Sequence, residues 1–136
     1  MIKPALIDTD VLSMFLKGRS KVMAHFETYL AQYDKVNFSI VTYYEIVSGL
    51  RHRDAHKQLT MFVEFASRNV ILPLTEKSVN ISAEIYADLR SIGMPIDDID
   101  LLIAGTAIAN DMVLVTHNRK HFDRIGVLQV DDWGER

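Results

Sequence analysis

Two acidic side chains follow a short apolar run near the start of the chain. Residues 4–16 read PALIDTDVLSMFL, so that Asp8 and Asp10 stand directly behind the run. Asp8 follows Ile7 where a buried strand would end, and an unpaired charge is costly in such a place. Two explanations compete: the acids cap the helix that follows, or they bind a metal ion.

Further acids follow other apolar runs, and each has a capping explanation when taken alone. The segment from Thr42 to Glu45 matches a capping box, and Asp97 is a suitable N-cap with Asp100 in the first turn behind it. A cap needs one oxygen per helix, whereas residues 96–100 read IDDID and supply three acids. This excess favours a second role for the acidic side chains.

The elements that must position these acids alternate between short apolar runs and longer amphipathic stretches. We predict strands at residues 4–8, 36–40, 70–74, 112–116 and 127–130, and helices at 10–17, 20–33, 42–67, 75–91 and 98–110. This alternation predicts right-handed crossovers and a three-layer α/β/α sandwich with a mostly parallel sheet of four to five strands. The small residues at 104, 105, 107 and 109 predict a thin helix that packs close to the sheet.

Ligands of open parallel sheets bind beyond the carboxyl ends of the strands. Seven positions map to this edge: Asp8, Glu45, Asp97, Asp98, Asp100, Asn118 and Asp123. Carboxylates that converge there repel one another unless a cation lies between them. Oxygen ligands favour Mg²⁺, with Mn²⁺ as the alternative, and clustered acids with such an ion suit hydrolysis of a phosphodiester.

The composition narrows the classes of protein to which the chain can belong. The chain has 136 residues with 49% hydrophobic, which suits one domain over residues 1–136. It has no cysteine, which excludes disulfides and thiolate-bound zinc and fits a reducing cytoplasm. No apolar run reaches the roughly 18 residues that span a membrane. The net charge of −3 does not exclude nucleic acid, because three acids on a metal leave 15 acids against 15 bases.

Five segments, taken in order, resemble the PIN-domain family, specifically the VapC-type toxins of bacterial toxin-antitoxin pairs. They are LIDTDVLS, TYYEIVSGL, IDDIDLLIAGTAI, LVTHNRKHF and a terminal VDDW. The resemblance implies a Mg²⁺-dependent RNA endonuclease with a cognate VapB-like antitoxin and a homodimeric assembly. Because several enteric VapC relatives cut initiator tRNA in its anticodon loop, it also makes a structured RNA loop a reasonable target.

The resemblance also implies a role for each residue that stands at a motif position of the family. Asp8, Glu45 and Asp100 would be the metal-binding acids, and Asn118 fills the fourth catalytic position with a neutral oxygen. His121 stands where many relatives have an acid. Supporting roles fall to Thr9, Asp10, Asp97 and Thr116, and RNA contacts to Arg51, Arg119 and Lys120.

Two other functions remain open at this stage. Asp8-Thr9-Asp10 also matches the opening motif of haloacid-dehalogenase-like phosphatases, in which one aspartate attacks phosphorus. That family needs a downstream lysine and a late acidic pair, for which this chain has no suitable loop. A non-catalytic module that retains the fold is the third reading, and the intact acids argue against it.

Overall fold

The first strand has apolar side chains on both faces. The computed structural model describes residues 2–134. In β1 (Ala5–Ile7), Ala5 and Ile7 pack into one core and Leu6 into another, and none is more than 2% exposed. Strands that are buried on both faces need helices on both sides of the sheet.

The remaining elements provide those two helical layers. In chain order they are α1 (Thr9–Leu16), α2 (Ser20–Gln32), β2 (Asn37–Ser39), α3 (Ile40–His52), α4 (His56–Ser67), β3 (Val70–Leu72), α5 (Glu76–Ser91), α6 (Asp98–Ala109), β4 (Val113–Val115), α7 (Arg119–Phe122) and β5 (Val130–Asp131). Within residues 2–134 the sheet has five parallel strands in the order β3-β2-β1-β4-β5. The predicted α/β/α sandwich is therefore confirmed.

Two cores lie on opposite faces of this sheet. The first joins α1, α2 and α4 around Phe26, Tyr29 and Phe62, and Trp133 from the C-terminal segment closes it. The second joins α5, α6 and α7 around Ile103 and Phe122. Because β1 and β4 are central, their carboxyl ends lie between the two layers, next to the starts of α1 and α7.

Two predicted boundaries are wrong. The helix predicted at 42–67 is two helices, because Asp54 adopts a left-handed conformation with φ 57°. The Ala55 amide then donates to the Leu50 carbonyl at 2.9 Å, which ends α3. Aspartate tolerates this conformation better than most residues, and that was the available signal. The fifth strand, predicted at 127–130, begins only at Val130.

The helix of small residues packs against both the sheet and a neighbouring helix. Ala104 and Ala107 of α6 share the second core with Leu114 of β4, as the thin-helix prediction required. Gly105 instead faces α5, where an added Cβ would lie 2.0 Å from Ser82 Oγ. The Ser82 hydroxyl lies 2.7 Å from the Leu101 carbonyl. The glycine is therefore required by the close approach of α5 and α6.

The part of the chain that the structure describes holds no helix that is both long and apolar enough to cross a membrane.

Candidate active site

Asp8 directly follows β1, and each of its two carboxylate oxygens accepts one hydrogen bond. Oδ1 accepts a 2.8 Å hydrogen bond from the Thr9 amide, which caps α1. Oδ2 accepts a 2.7 Å hydrogen bond from the hydroxyl of Thr116, which follows β4. The capping explanation for Asp8 is thus correct for one oxygen, while the other joins the two central strands.

The carboxyl of Asp8 is held in an environment that disfavours its charge. Burial, together with the negative charges of Asp10 and Asp100, raises its pKa to about 7, although the hydrogen bonds from Thr116 and Thr9 act in the opposite direction. The side chains of Asp8 and Asp100 are therefore electrostatic neighbours, although they lie far apart in sequence. A cation beside them would relieve this unfavourable energy.

Glu45 reaches the same region from α3. Its Oε1 accepts a hydrogen bond of 2.5 Å from the Thr9 hydroxyl, which also lies 3.1 Å from Thr42 Oγ1. The helix is capped by Ser39, whose Oγ accepts from the Val41 amide at 2.9 Å. The capping-box interpretation of Thr42 and Glu45 is therefore wrong, and the Glu45 carboxylate faces α1 instead.

Asp100 lies in the first turn of α6, behind Asp97. Asp97 occupies the N-cap position but makes no side-chain capping bond, and it is exposed. Burial raises the pKa of Asp100, the neighbouring imidazole of His121 lowers it, and the charges of Asp97 and Glu45 raise it. At the start of α6, Asp97 thus acts on Asp100 through its charge.

Asn118 links Thr116 to the start of α7. Its backbone amide donates to Thr116 Oγ1 at 3.0 Å, and its side-chain amide lies 3.0 Å from Nδ1 of His121. The same Nδ1 lies 3.6 Å from Asp100 Oδ2. A continuous series of contacts therefore runs from Glu45 through the central strands to Asp100.

Asp10 fixes the loop that carries these groups. Its Oδ1 accepts from the Val11 amide at 2.7 Å and its Oδ2 from the His117 amide at 3.1 Å. The His117 ring is held in turn by Asp132, 2.9 Å from Nδ1. Both oxygens of Asp10 are thus engaged in tying α1 to the loop after β4.

The structure brings together Asp8, Glu45, Asp100 and Asn118, with Thr9, Asp10 and Thr116 between them. Their side chains do not surround a common point. In residues 2–134, no three acidic or histidine side chains are arranged as ligands of one ion. Arg119 and Lys120 are exposed in α7, next to Asn118, and Arg119 lies 3.8 Å from Asp123. Arg51 is exposed in the last turn of α3.

A cleft of about 360 Å³ opens beside Glu45, between α1, α3 and α4. Its walls are mainly apolar, and Thr9 and Glu45 form part of them. Lys17 and Arg53 also line it, and the sequence suggests Arg53 beside Arg51 as an RNA contact. Arg51 is not among the lining residues that the structure describes. Lys17 is the residue that follows α1, and no periodic pattern in the sequence marks it as a lining residue.

Comparison with known proteins identifies the family. The model of the PIN domain family matches residues 5–128. Ribonuclease VapC1 of Haemophilus influenzae strain R2866 is 30% identical over 94% of this chain and 96% of its own. The tRNA(fMet)-specific endonuclease VapC of Shigella flexneri is 26% identical over the same shares of the two chains.

Among solved structures, a chain from the crystal structure of VapBC2 from Rickettsia felis, bound to a DNA fragment from their promoter, superimposes with a TM-score of 0.86. It is 27% identical, and the match covers 95% of this chain and 98% of that one. The chain described here belongs to the PIN-domain family and, within it, to the VapC proteins.

Proposed function

We propose that this chain is a VapC-type toxin, an endoribonuclease that uses Mg²⁺ or Mn²⁺ to hydrolyse RNA phosphodiester bonds. The observation that carries the proposal is the linked placement of Asp8, Glu45 and Asp100 at the carboxyl edge of the sheet, where Thr9 contacts both Asp8 and Glu45 and Nδ1 of His121 lies 3.6 Å from Asp100. The relatives named as ribonucleases match nearly the whole chain, which supports the same activity.

The donor set suits a hard divalent cation. Asp8, Glu45 and Asp100 supply carboxylate oxygens and Asn118 an amide oxygen, which are the ligands that Mg²⁺ and Mn²⁺ prefer. The raised pKa values of Asp8 and Asp100 are the expected state of ligands before a cation neutralises them. We therefore assign Asp8, Asp100 and Glu45 to metal binding.

Each surrounding group has a definite task in this proposal. When bound, the ion activates a water molecule and neutralises charge on the scissile phosphate. Thr116 holds Asp8 Oδ2, and Thr9 holds Glu45 Oε1, so that both carboxylates keep a fixed orientation. Asp10 keeps the loop with Thr116 in place through the His117 amide.

The substrate we propose is a structured RNA loop, with a tRNA anticodon loop as the first candidate. A relative named for its specificity towards tRNA(fMet) supports this choice. Arg119 and Lys120 flank the acids on α7, where their charges would engage RNA phosphates. We further propose that the toxin acts in the cytoplasm as a homodimer and is inhibited by a VapB-like antitoxin. The similarity to a chain of a VapBC complex supports the antitoxin.

Cleavage of a defined RNA tests the proposal. We expect purified protein to cut initiator tRNA with Mg²⁺ or Mn²⁺ and not with EDTA, and the variants Asp8→Asn and Asp100→Asn to be inactive while retaining their circular dichroism. Asp88→Asn, an exposed acid on α5, is the matched control and should remain active. Equal cleavage by Asp8→Asn and the wild type would identify a contaminating nuclease and overturn the proposal.

The same samples test the phosphatase alternative. That mechanism needs Asp10 free to exchange a proton, whereas both oxygens of Asp10 accept backbone hydrogen bonds. Turnover of a small phosphomonoester that is lost in Asp10→Asn would favour the phosphatase over the nuclease.

A further inference from the structure

Asp132 is a buried carboxylate outside the catalytic set. It lies between β5 and Trp133, and its side chain is only 6% exposed. Its Oδ1 accepts a 2.8 Å hydrogen bond from the Gly134 amide, which closes the turn that carries Trp133 into the first core. Its Oδ2 lies 2.9 Å from Nδ1 of His117, in the loop after β4. The turn needs only one of the two oxygens, so the second has a different task.

The contact with Asp132 fixes the direction of the His117 ring. The ring is 49% exposed, so it gains little from burial in a core. Because a carboxylate oxygen only accepts, the proton lies on Nδ1, and in the neutral ring Nε2 is an acceptor. Within residues 2–134, the hydrogen bonds of His117 are made by its amide and Nδ1, and none is made by Nε2. The acceptor is therefore available to a ligand.

His117 stands beside the groups that we assigned to catalysis. In the sequence it lies between Thr116 and Asn118, and its amide donates to Asp10 Oδ2 at 3.1 Å. Asp10 thus fixes the main chain of His117 while Asp132 fixes the ring. A nucleotide bound at the catalytic acids would meet an acceptor whose direction is set before binding, which lowers the entropy cost of the contact.

The other histidine–carboxylate pairs in the described part of the chain are different. His56 lies 2.7 Å from Asp54, but both side chains are 82% exposed, so water competes for the contact. Nδ1 of His121 lies 3.6 Å from Asp100, which is too long for a hydrogen bond. Among these pairs, His117 alone has a ring that is held by a buried carboxylate.

We propose that His117 binds the RNA substrate and that Asp132 is the positioning residue for its ring. Nε2 accepts a hydrogen bond from a donor group of a nucleotide next to the scissile bond. The inference rests on the proposed function, since it assumes that RNA lies at the catalytic acids. Two groups of RNA have this chemistry, the ribose 2′-hydroxyl and the exocyclic amino group of a base. The contact therefore differs from the phosphate contacts assigned to Arg119 and Lys120.

Steady-state cleavage of an RNA stem-loop with the anticodon-loop sequence of initiator tRNA tests the contact. Loss of one hydrogen bond in His117→Ala should raise KM by about 3–10-fold, while kcat changes by less than about twofold. Asp88→Ala would change size as well as charge, so Asp88→Asn, on the exposed face of α5, is the matched control for an altered acid and should leave KM unchanged.

The variant Asp132→Asn separates the positioning of the ring from its presence. The asparagine oxygen still accepts from the Gly134 amide, so the turn is kept, but the asparagine nitrogen donates to Nδ1. The neutral His117 ring then carries its proton on Nε2, which no longer accepts. KM should rise by the same factor as in His117→Ala, although the imidazole is still present.

Modified substrates identify the donor group. In one series, 2′-deoxynucleotides are placed one at a time along the loop, and in a second series each base is replaced by an analogue without its amino group. We expect one substitution to raise KM of the wild type by the factor seen in His117→Ala. The same substitution should have no further effect in His117→Ala or Asp132→Asn, because both halves belong to one contact. The series in which it occurs distinguishes the ribose from the base.

Two spectroscopic measurements complete the test. Long-range proton–nitrogen NMR correlations should place the proton of the neutral His117 ring on Nδ1 in the wild type and on Nε2 in Asp132→Asn. Fluorescence of Trp133, the single tryptophan, should show that the C-terminal segment stays packed in both variants. A wild-type KM in His117→Ala, a wild-type proton on Nε2, or purely additive substrate effects would overturn the inference and leave the proposed function intact. Absence of cleavage by the wild type would overturn both.

Discussion

Thr116 and Asp8 lie 108 positions apart in the sequence and are joined by a hydrogen bond of 2.7 Å. Asp8 follows β1 and Thr116 follows β4, two neighbouring parallel strands in which Ile7 lies opposite Val115. The pair therefore reports whether the central strands are in register. The fully buried Thr116 hydroxyl also accepts from the Asn118 amide, so that it organises three parts of the site at once.

Replacement of this hydroxyl should reduce both stability and activity. Thr116→Val keeps the shape but leaves Asp8 Oδ2 and the Asn118 amide without a partner. We expect a loss of about 1–3 kcal/mol in the free energy of unfolding, measured in urea with EDTA. Cleavage should fall by about 10–100-fold, as expected for a group that orients a metal ligand. Thr116→Ser keeps the hydroxyl, and equal losses in Ser and Val would contradict this explanation.

The raised pKa of Asp8 predicts how the stability of the metal-free protein depends on pH. The folded state keeps the proton up to pH 7, whereas the unfolded chain releases it near the ordinary value of 3.8. The contribution of Asp8 is therefore fully present below pH 4 and is lost as the pH rises through 7. Asp8→Asn cannot lose a proton, so its stability relative to the wild type should increase from pH 4 to pH 8, by a few kcal/mol at most.

Urea unfolding of both proteins in EDTA at several pH values measures this difference. Addition of Mg²⁺ or Mn²⁺ at pH 8 should stabilise the wild type and not Asp8→Asn. A constant difference between the two proteins across this range would show that the Asp8 carboxyl titrates normally in the folded state.

The close contact between α5 and α6 predicts that replacement by alanine destabilises the protein at Gly105. Gly49 on α3 lies outside this contact and should tolerate alanine. In Gly105→Ala the new Cβ would lie 2.0 Å from Ser82 Oγ and 2.5 Å from the Ser78 carbonyl, so the backbone has to move. We expect a loss of about 3 kcal/mol in the free energy of unfolding. Gly49→Ala is the matched control, since its Cβ would meet only the flexible end of Arg53, at 3.4 Å, and alanine favours helix by about 0.5–1 kcal/mol. Similar losses in both variants would show that the helix contact is less tight than described.

The architecture could be predicted because the strands are apolar on both faces. Ala5, Leu6 and Ile7 form a continuous apolar run, which indicates a strand between two helical layers. The break at Asp54 could not be predicted from periodicity, because the amphipathic pattern continues across it and the difference depends on one backbone conformation. Local propensities of this kind are small compared with the packing of the flanking helices.

The site was predictable only in part. The carboxyl ends of parallel strands meet at one edge, and this rule led to a set of polar residues there. The resemblance to the PIN-domain family then implied Asp8, Glu45 and Asp100. The partners of these acids depend on tertiary packing: the Thr9 hydroxyl selects Glu45, and His121 approaches Asp100 from α7. A helix of four residues is too short to leave a periodic signal, so in the sequence only the family resemblance pointed to His121.

The residues that line the cleft beside Glu45 indicate which basic side chains bind RNA. Lys17 and Arg53 line the cleft, and their charges would neutralise phosphates of a strand that enters the acidic site. In Lys17→Ala and Arg53→Ala, KM for a single-stranded substrate should rise, and the slope of log(kcat/KM) against log salt should become shallower by about 0.7 per charge. The value of kcat should change little, because neither side chain contacts the catalytic groups in our assignment. Lys77→Ala, which replaces an exposed lysine on α5, is the control for net charge. If Lys77→Ala lowers the slope as much as Arg53→Ala does, the effect comes from overall charge and the cleft does not bind the RNA backbone.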